Sequence, residues 1–252
     1  MSEVRRLQPA ERGELAVLID EHSAADSMAA YYALLHPSDR VSLFAYQPTR
    51  SGLRGFLALA QTGLDLFRPL AVPFVGQRAG LSELLRAALR PGRPVVLHIP
   101  AEQRPWALEV AELSDARPAE LFRFDPRRFR TIVNVLVVES QSPNGWPRYE
   151  IRAADGSVAA AGLNWKGPSF AELYLAVDPK AKGRGFGTSV LAAITRGLIE
   201  EKVSPLYRLA DDDLAARVEA EDLGFVPTGI HTLTCQAMLR TQPITAPARS
   251  LS

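Results

Sequence analysis

Apolar residues near the N-terminus recur at intervals of three and four: Leu15, Leu18 and Ile19, then Met28, Ala29, Tyr32 and Leu35. That spacing puts one stripe on a helix face, and His36-Pro37 ends it, because proline disfavours helix at the residue before it. Short apolar runs bounded by turn residues follow at Val41–Tyr46, Gly55–Ala60 and Leu70–Val75 and predict strands. The pattern then predicts a helix over 81–89, a strand over 94–99, a helix over 105–113 and a strand over 121–124.

Asp125-Pro126-Arg127-Arg128 reads as a boundary, and beyond it the pattern starts again. Strands are expected over 131–138, 148–153, 157–165 and 170–177, with Asp155-Gly156 as a hairpin turn signal. A helix over 187–202 carries Val190, Leu191, Ile194 and Leu198 on one face. A strand over 206–209 and a helix over 212–223 follow, the helix opening after an aspartate cap and closing at Gly224. The run from Phe225 to Leu239 reads as strand. Each half thus has the order strands, helix, strand, helix, strand. The expected fold class is α/β, with a mixed sheet in each of two tandem halves. The division is residues 1–125, 126–240 and a flexible tail over 241–252.

Composition removes several classes. The 252 residues are 47% hydrophobic and 23% charged, with 29 basic against 28 acidic side chains. That is an ordinary globular chain, with no electrostatic footprint for nucleic acid or an anionic membrane. Cys235 is the single cysteine and the four histidines are far apart in sequence, so neither a disulfide framework nor a Cys/His metal site is expected. No apolar run approaches the ~20 residues of a membrane span, and the N-terminus lacks the apolar core of a secretion signal. A cytoplasmic location is the expectation.

The halves differ in one loop. After Val75 the first half has only Gly76-Gln77-Arg78-Ala79-Gly80 before its helix. After Val177 the second has Asp178-Pro179-Lys180-Ala181-Lys182-Gly183-Arg184-Gly185-Phe186-Gly187. Alternating glycines before a helix leave backbone open, and the first helical amides lack intrahelical acceptors near the positive end of the dipole. With Lys180, Lys182, Arg184 and the Thr188 hydroxyl beside it, such a turn suits a diphosphate. A glycine turn without ligand is the bland alternative. A Walker loop needs G-x-x-x-x-G-K-[ST], which is absent. A dinucleotide fingerprint needs a third glycine where Thr188 stands, and a parallel strand running almost directly into the first.

The string from Val177-Asp178-Pro179 through Lys182-Gly183-Arg184-Gly185-Phe186-Gly187-Thr188 resembles the coenzyme-A signature of the GNAT superfamily N-acetyltransferases, with Lys182 where Gln or Arg is usual. Gly224-Phe225 matches the G-F that closes that fold, and Asp155-Gly156 its hairpin; the resemblance covers roughly residues 131–239. It implies two tandem GNAT-like folds, as in two-domain acyltransferases of the glycine N-acyltransferase type, with a degenerate first half that binds no coenzyme. It further implies that the amides of 182–188 hold the pyrophosphate of acetyl-CoA. The end of the strand at Val177 would pair with the pantetheine arm, and its amide would act as oxyanion donor. The acceptor would be an amine of a small molecule or peptide.

The family often has Asn, then Ala, then a thiolate-protonating Tyr on the last helix, and here these positions hold Asp213, Ala216 and Ala220. The tyrosine is absent. Candidate proton relays are Glu172 and Tyr174, two apart on the strand that should border the acceptor; Tyr207, on the next strand, could reach the thiolate or simply pack. The rival class is an acyl-CoA sensor or interaction module that keeps the fold without catalysis.

Overall fold

The computed structural model describes residues 3–48, 52–63, 65, 67–130, 132–153 and 156–240. Asp155 of the expected hairpin signal and the expected tail over 241–252 lie outside the described residues. In chain order the strands are β1 (Val4–Arg6), β2 (Val41–Tyr46), β3 (Gly55–Ala60), β4 (Leu70–Val75), β5 (Val95–Pro100), β6 (Ala111–Phe124), β7 (Val138–Gln141), β8 (Pro147–Ala153), β9 (Gly156–Lys166), β10 (Phe170–Val177), β11 (Ser204–Ala210) and β12 (Phe225–Leu239). The α-helices are α1 (Ser27–Ala30), α2 (Arg78–Ala88), α3 (Arg104–Leu108), α4 (Phe186–Glu200) and α5 (Leu214–Leu223).

The chain divides into two compact units. The first takes the described residues of Met1–Ile19, Tyr32–Pro118 and Thr232–Ser252, the second Asp20–Tyr31 and Ala119–His231. This differs from the expected division at residue 125. The physical reason is the length of β6 and β12, 14 and 15 residues. Each is long enough to serve both units, so the end of β6 belongs to the second unit and the end of β12 to the first.

In the first unit β1, β2, β3 and β4 form an antiparallel meander, β5 joins β4 in parallel, and Thr232–Ala237 of β12 pairs antiparallel with β5. Leu81, Leu84, Leu85 and Ala88 of α2 pack on Leu57, Ala71, Leu97 and Ile99 to form its core. The second unit repeats the plan. β7, β8, β9 and β10 are antiparallel, β11 joins β10 in parallel, and β6 pairs antiparallel with β11 over Ala119–Arg123. Its core packs Val190, Leu191, Ile194 and Leu198, the expected face of α4, against Ile151, Leu163, Leu173, Phe122 and Phe225.

Three stretches depart from the hydrophobic pattern. The single helix expected over the first stripe is a 3-10 helix, Pro9–Leu18, then turns, then α1 running on as a π-helix over Tyr31–Leu35. Aspartates break it: Asp20 accepts from the His22 amide at 2.9 Å and Asp26 from the Asp20 amide at 3.0 Å, local bonds that compete with the helix ladder. Of the strand expected over 131–138, residues 132–137 are not strand and β7 begins only at Val138. Asn134 Oδ1 accepts from the Leu136 amide at 3.0 Å, turning the chain, and its Nδ2 donates to Ser189 Oγ at 3.1 Å. The helix expected over 105–113 stops at Leu108, and β6 begins at Ala111. Among the described residues no helix is long and apolar enough to cross a membrane.

Candidate functional site

β10 and β11 pair in parallel only from Phe170↔Ser204 to Leu173↔Tyr207, although both strands continue. Past that register they no longer share hydrogen bonds, and a cleft of about 550 Å³ opens in the second unit. Leu175, Ala176 and Val177 of β10 form one side, Ala216 and Glu219 of α5 another, and Gly183, Gly185 and Gly187 line it at the start of α4.

The loop between β10 and α4 is held by its own backbone. Asp178 N donates to Val158 O at 2.9 Å, the Asp178 carboxylate accepts from the Lys180 amide at 2.8 Å, and Pro179–Ala181 makes one 3-10 turn. Gly183 and Gly185 then take φ of +75° and +74°. A Cβ at either would meet nothing within 4 Å, so these glycines are required by left-handed backbone and not by crowding. Gly187 has the opposite reason: a Cβ there would sit 3.0 Å from Val177 Cγ2, which locks α4 against β10. Gly185 is the N-cap of α4, and Ser189 Oγ returns a bond to its carbonyl at 2.8 Å. The first amides of a 15-residue helix therefore start at the cleft.

Of the residues singled out for the coenzyme, Val177, Lys182, Gly183, Gly185, Phe186 and Gly187 line the cleft. Arg184 and Thr188 are not among the lining residues; the Arg184 guanidinium lies 4.7 Å over the Phe186 ring. The lining also carries negative charge that the loop motif does not announce. Asp213 accepts from the Ala216 amide at 3.0 Å, so the residue standing for the family's Asn caps α5. Glu219 Oε2 is 3.8 Å from where a Gly187 Cβ would be. The sequence signal for these is the helical interval: 213, 216 and 219 are three apart and share a face.

Glu172 and Tyr174 lie elsewhere. They alternate with Leu173, Leu175 and Val177 on β10 and so face away from the core that those three help to build. The Glu172 carboxylate is 5% exposed, accepting from Arg208 Nη2 at 2.7 Å and from Asn164 Nδ2 at 3.0 Å. Tyr174 lies across Gly162 of β9, where a Cβ would be 2.5 Å from its hydroxyl oxygen. Neither is among the residues lining the cleft. Tyr207 is: it is 7% exposed, with its ring edge-on to Phe225 at 5.9 Å. Burial foremost, then the charges of Asp213 and Glu219, push its phenol above the ordinary tyrosine range.

The first unit has no such cleft loop between β4 and α2. There the side chain of Gln103, itself buried, donates to Val75 O at 2.8 Å, at the end of the strand corresponding to β10.

No family model matches the chain, and no curated protein matches it. Solved structures do. A Drosophila protein superposes with TM-score 0.65 at 16% identity, covering 93% of this chain and 98% of its own. A tandem GNAT protein from the clavulanic acid biosynthesis pathway gives 0.59 at 16%, covering 94% and 98%. An acetyltransferase from the GNAT family of Colwellia psychrerythraea gives 0.57 at 10%, covering 94% and 99%. At these identities the likeness is one of fold, and it extends over nearly the whole chain.

Proposed function

We propose that this protein, whose fold is that of the GNAT N-acetyltransferases, transfers an acyl group from acetyl-CoA or another acyl-CoA to an amine of a small molecule or peptide. The observation that carries the reading is the cleft where β10 and β11 part, ending at the amides of α4 and floored by two left-handed glycines. The part of the cleft lined by Leu175, Val177 and Phe186 suits the uncharged pantetheine arm, and the helix start with Lys182 suits its diphosphate. Bound there, the coenzyme would supply an activated thioester. The chain's part is to hold it, to exclude water, and to offer the Val177 amide to the carbonyl oxygen as negative charge builds. The amine must arrive neutral, because an ammonium has no lone pair to attack with.

The first unit is the degenerate partner in this reading and binds no coenzyme. Its short β4–α2 link and the Gln103–Val75 bond support that assignment.

A second reading, a coenzyme-binding module without turnover, is favoured by one observation: Ala220 is wholly buried in the core, so α5 presents no proton donor at that position. Release of free thiol from acetyl-CoA in the presence of a panel of primary amines separates the two. Amine-dependent release is expected. Tight coenzyme binding with no release for any amine would favour the module and contradict transfer.

A further inference from the structure

We propose that the first unit carries a site for a tetrahedral oxyanion, the phosphate group of a small molecule. It lies where β1 turns into the 3-10 helix Pro9–Leu18 and the chain returns through the turn Ser38–Arg40 into β2. The site is wholly within that unit and stands apart from the coenzyme reading of the second.

The place is a pocket of about 260 Å³. Leu7 and Leu43, both buried, are part of its apolar lining, and Arg6, Arg12, Ser38 and Ser42 bring charge and hydroxyls. Main-chain bonds fix these elements: Leu7 N donates to Leu43 O at 2.8 Å, and Arg40 N to Pro37 O at 2.9 Å.

Charge is the first argument. Arg12 Nε donates to Ala33 O at 2.9 Å and Nη1 to His36 O at 3.0 Å, while Nη2 is buried without a partner among the described residues. Burial lowers the Arg12 pKa, so the guanidinium is desolvated, and two carbonyl dipoles are its only partners. Arg6 Nη2 donates to Ser42 Oγ at 2.9 Å, and Arg6 likewise pairs with no carboxylate among the described residues. The acids next along the chain, Glu11 and Glu14, are both held by Arg5, at 2.9 and 2.5 Å. A neighbour feels the excess. Burial foremost lowers the His36 pKa, and among the charges Arg12 and Arg40 each lower it by more than Asp39 raises it. A desolvated cation without a counter-charge is costly, and an anion in the pocket supplies one.

Geometry selects the anion. Ser42 Oγ accepts from Arg6, which leaves its O–H free to donate, and the Ser38 hydroxyl has no partner among the described residues. Donors thus come from β1, from β2 and from the turn before β2. A carboxylate is served by the planar fork of one guanidinium. Donors converging from three elements suit oxygens that point apart, as those of a phosphate do. At a water's share of ~30 Å³, the pocket has room for the phosphate and several attached atoms.

The test titrates inorganic phosphate into the full-length protein and follows backbone amide shifts, with acetate at matched ionic strength as the planar control. The amides around Leu7, Ser38 and Ser42 should respond saturably to phosphate, and acetate should bind at least about tenfold more weakly. Arg6 is exposed, so Arg6→Ala should fold, and it should weaken phosphate at these amides at least about tenfold. Arg86→Ala removes the same charge elsewhere in the unit and should leave the response unchanged. Phosphate also suits the start of α4, so the titration is repeated with Gly185→Val, where the response at these amides should persist. A response that never saturates, as charge screening gives, overturns the site, as does one that Arg6→Ala leaves intact or Gly185→Val abolishes. Equal affinity for acetate overturns its assignment to a tetrahedral group.

Discussion

Gly183, Gly185, Gly187 and Gly224 look alike in the sequence and are required for two reasons, left-handed backbone and want of room, which Gly224 combines. Gly183 and Gly185 need φ near +75° with open space around them. An alanine at 185 meets only left-handed strain, about 1–2 kcal/mol. Gly224 combines φ of +106° with the Arg128 carbonyl carbon 3.0 Å from any Cβ, and backbone cannot step aside. Gly224→Ala should therefore destabilise more than Gly185→Ala in urea unfolding, and equal losses would contradict the packing argument. At Glu172 the buried ion pair with Arg208 decides the role. Glu172→Ala removes a buried carboxylate that accepts from both Arg208 and Asn164 and should cost about 3–5 kcal/mol. A variant as stable as the parent but without turnover would show that Glu172 acts chemically and not structurally.

Among elements, β2, β3 and β4 were legible to the residue, because each is an apolar run bounded by turn residues, and the bounds expected for β10 and β12 also match. α5 was legible through its stop, Gly224, and through an aspartate cap, which the structure places at Asp213, two residues later than a helix over 212–223 requires. The failures are equally specific. The first stripe keeps its apolar positions, yet Asp20 and Asp26 spend their carboxylates on nearby amides and the helix breaks. The valine-rich run after 131 has strand composition, but Asn134 turns it and leaves Val133 and Val135 exposed. Of the site, the glycine loop was legible and the rest of the cleft was not. Glu219 reaches it because α5 packs beside α4, and its one local signal is the helical interval it shares with Asp213 and Ala216. The π-turn after α1 carries a pH dependence. His36 is buried with its ring Nε2 3.1 Å from Gln61 O, and burial, with Arg12 and Arg40 nearby, lowers its pKa. The folded state thus takes up this proton at lower pH than the unfolded chain does. Stability should fall as pH drops below about 6.5, and His36→Gln, which cannot titrate, should lose that part of the slope in thermal melts.

The whole molecule is one plan used twice, an antiparallel meander with a parallel fifth strand, and among the described residues the glycine loop that lines a cleft lies in the second copy. Each copy is closed by a strand long enough to serve both units, which is why a boundary drawn at residue 125 misplaced the ends of β6 and β12. The central claim is that the second unit alone holds coenzyme, at the start of α4. Its most direct test is calorimetric titration of acetyl-CoA and free coenzyme A into the parent, Gly185→Val and Gly76→Val. Gly76 has open space and no left-handed backbone, so its variant is a fair control in the other unit, whereas Gly80 is hemmed in by Val75 and Tyr46 within 2.6–2.9 Å. One coenzyme should bind per chain, Gly185→Val should weaken it at least tenfold, about 1.4 kcal/mol, and Gly76→Val should match the parent. Absence of binding by the folded parent, two sites per chain, or an equal loss in Gly76→Val would contradict the account.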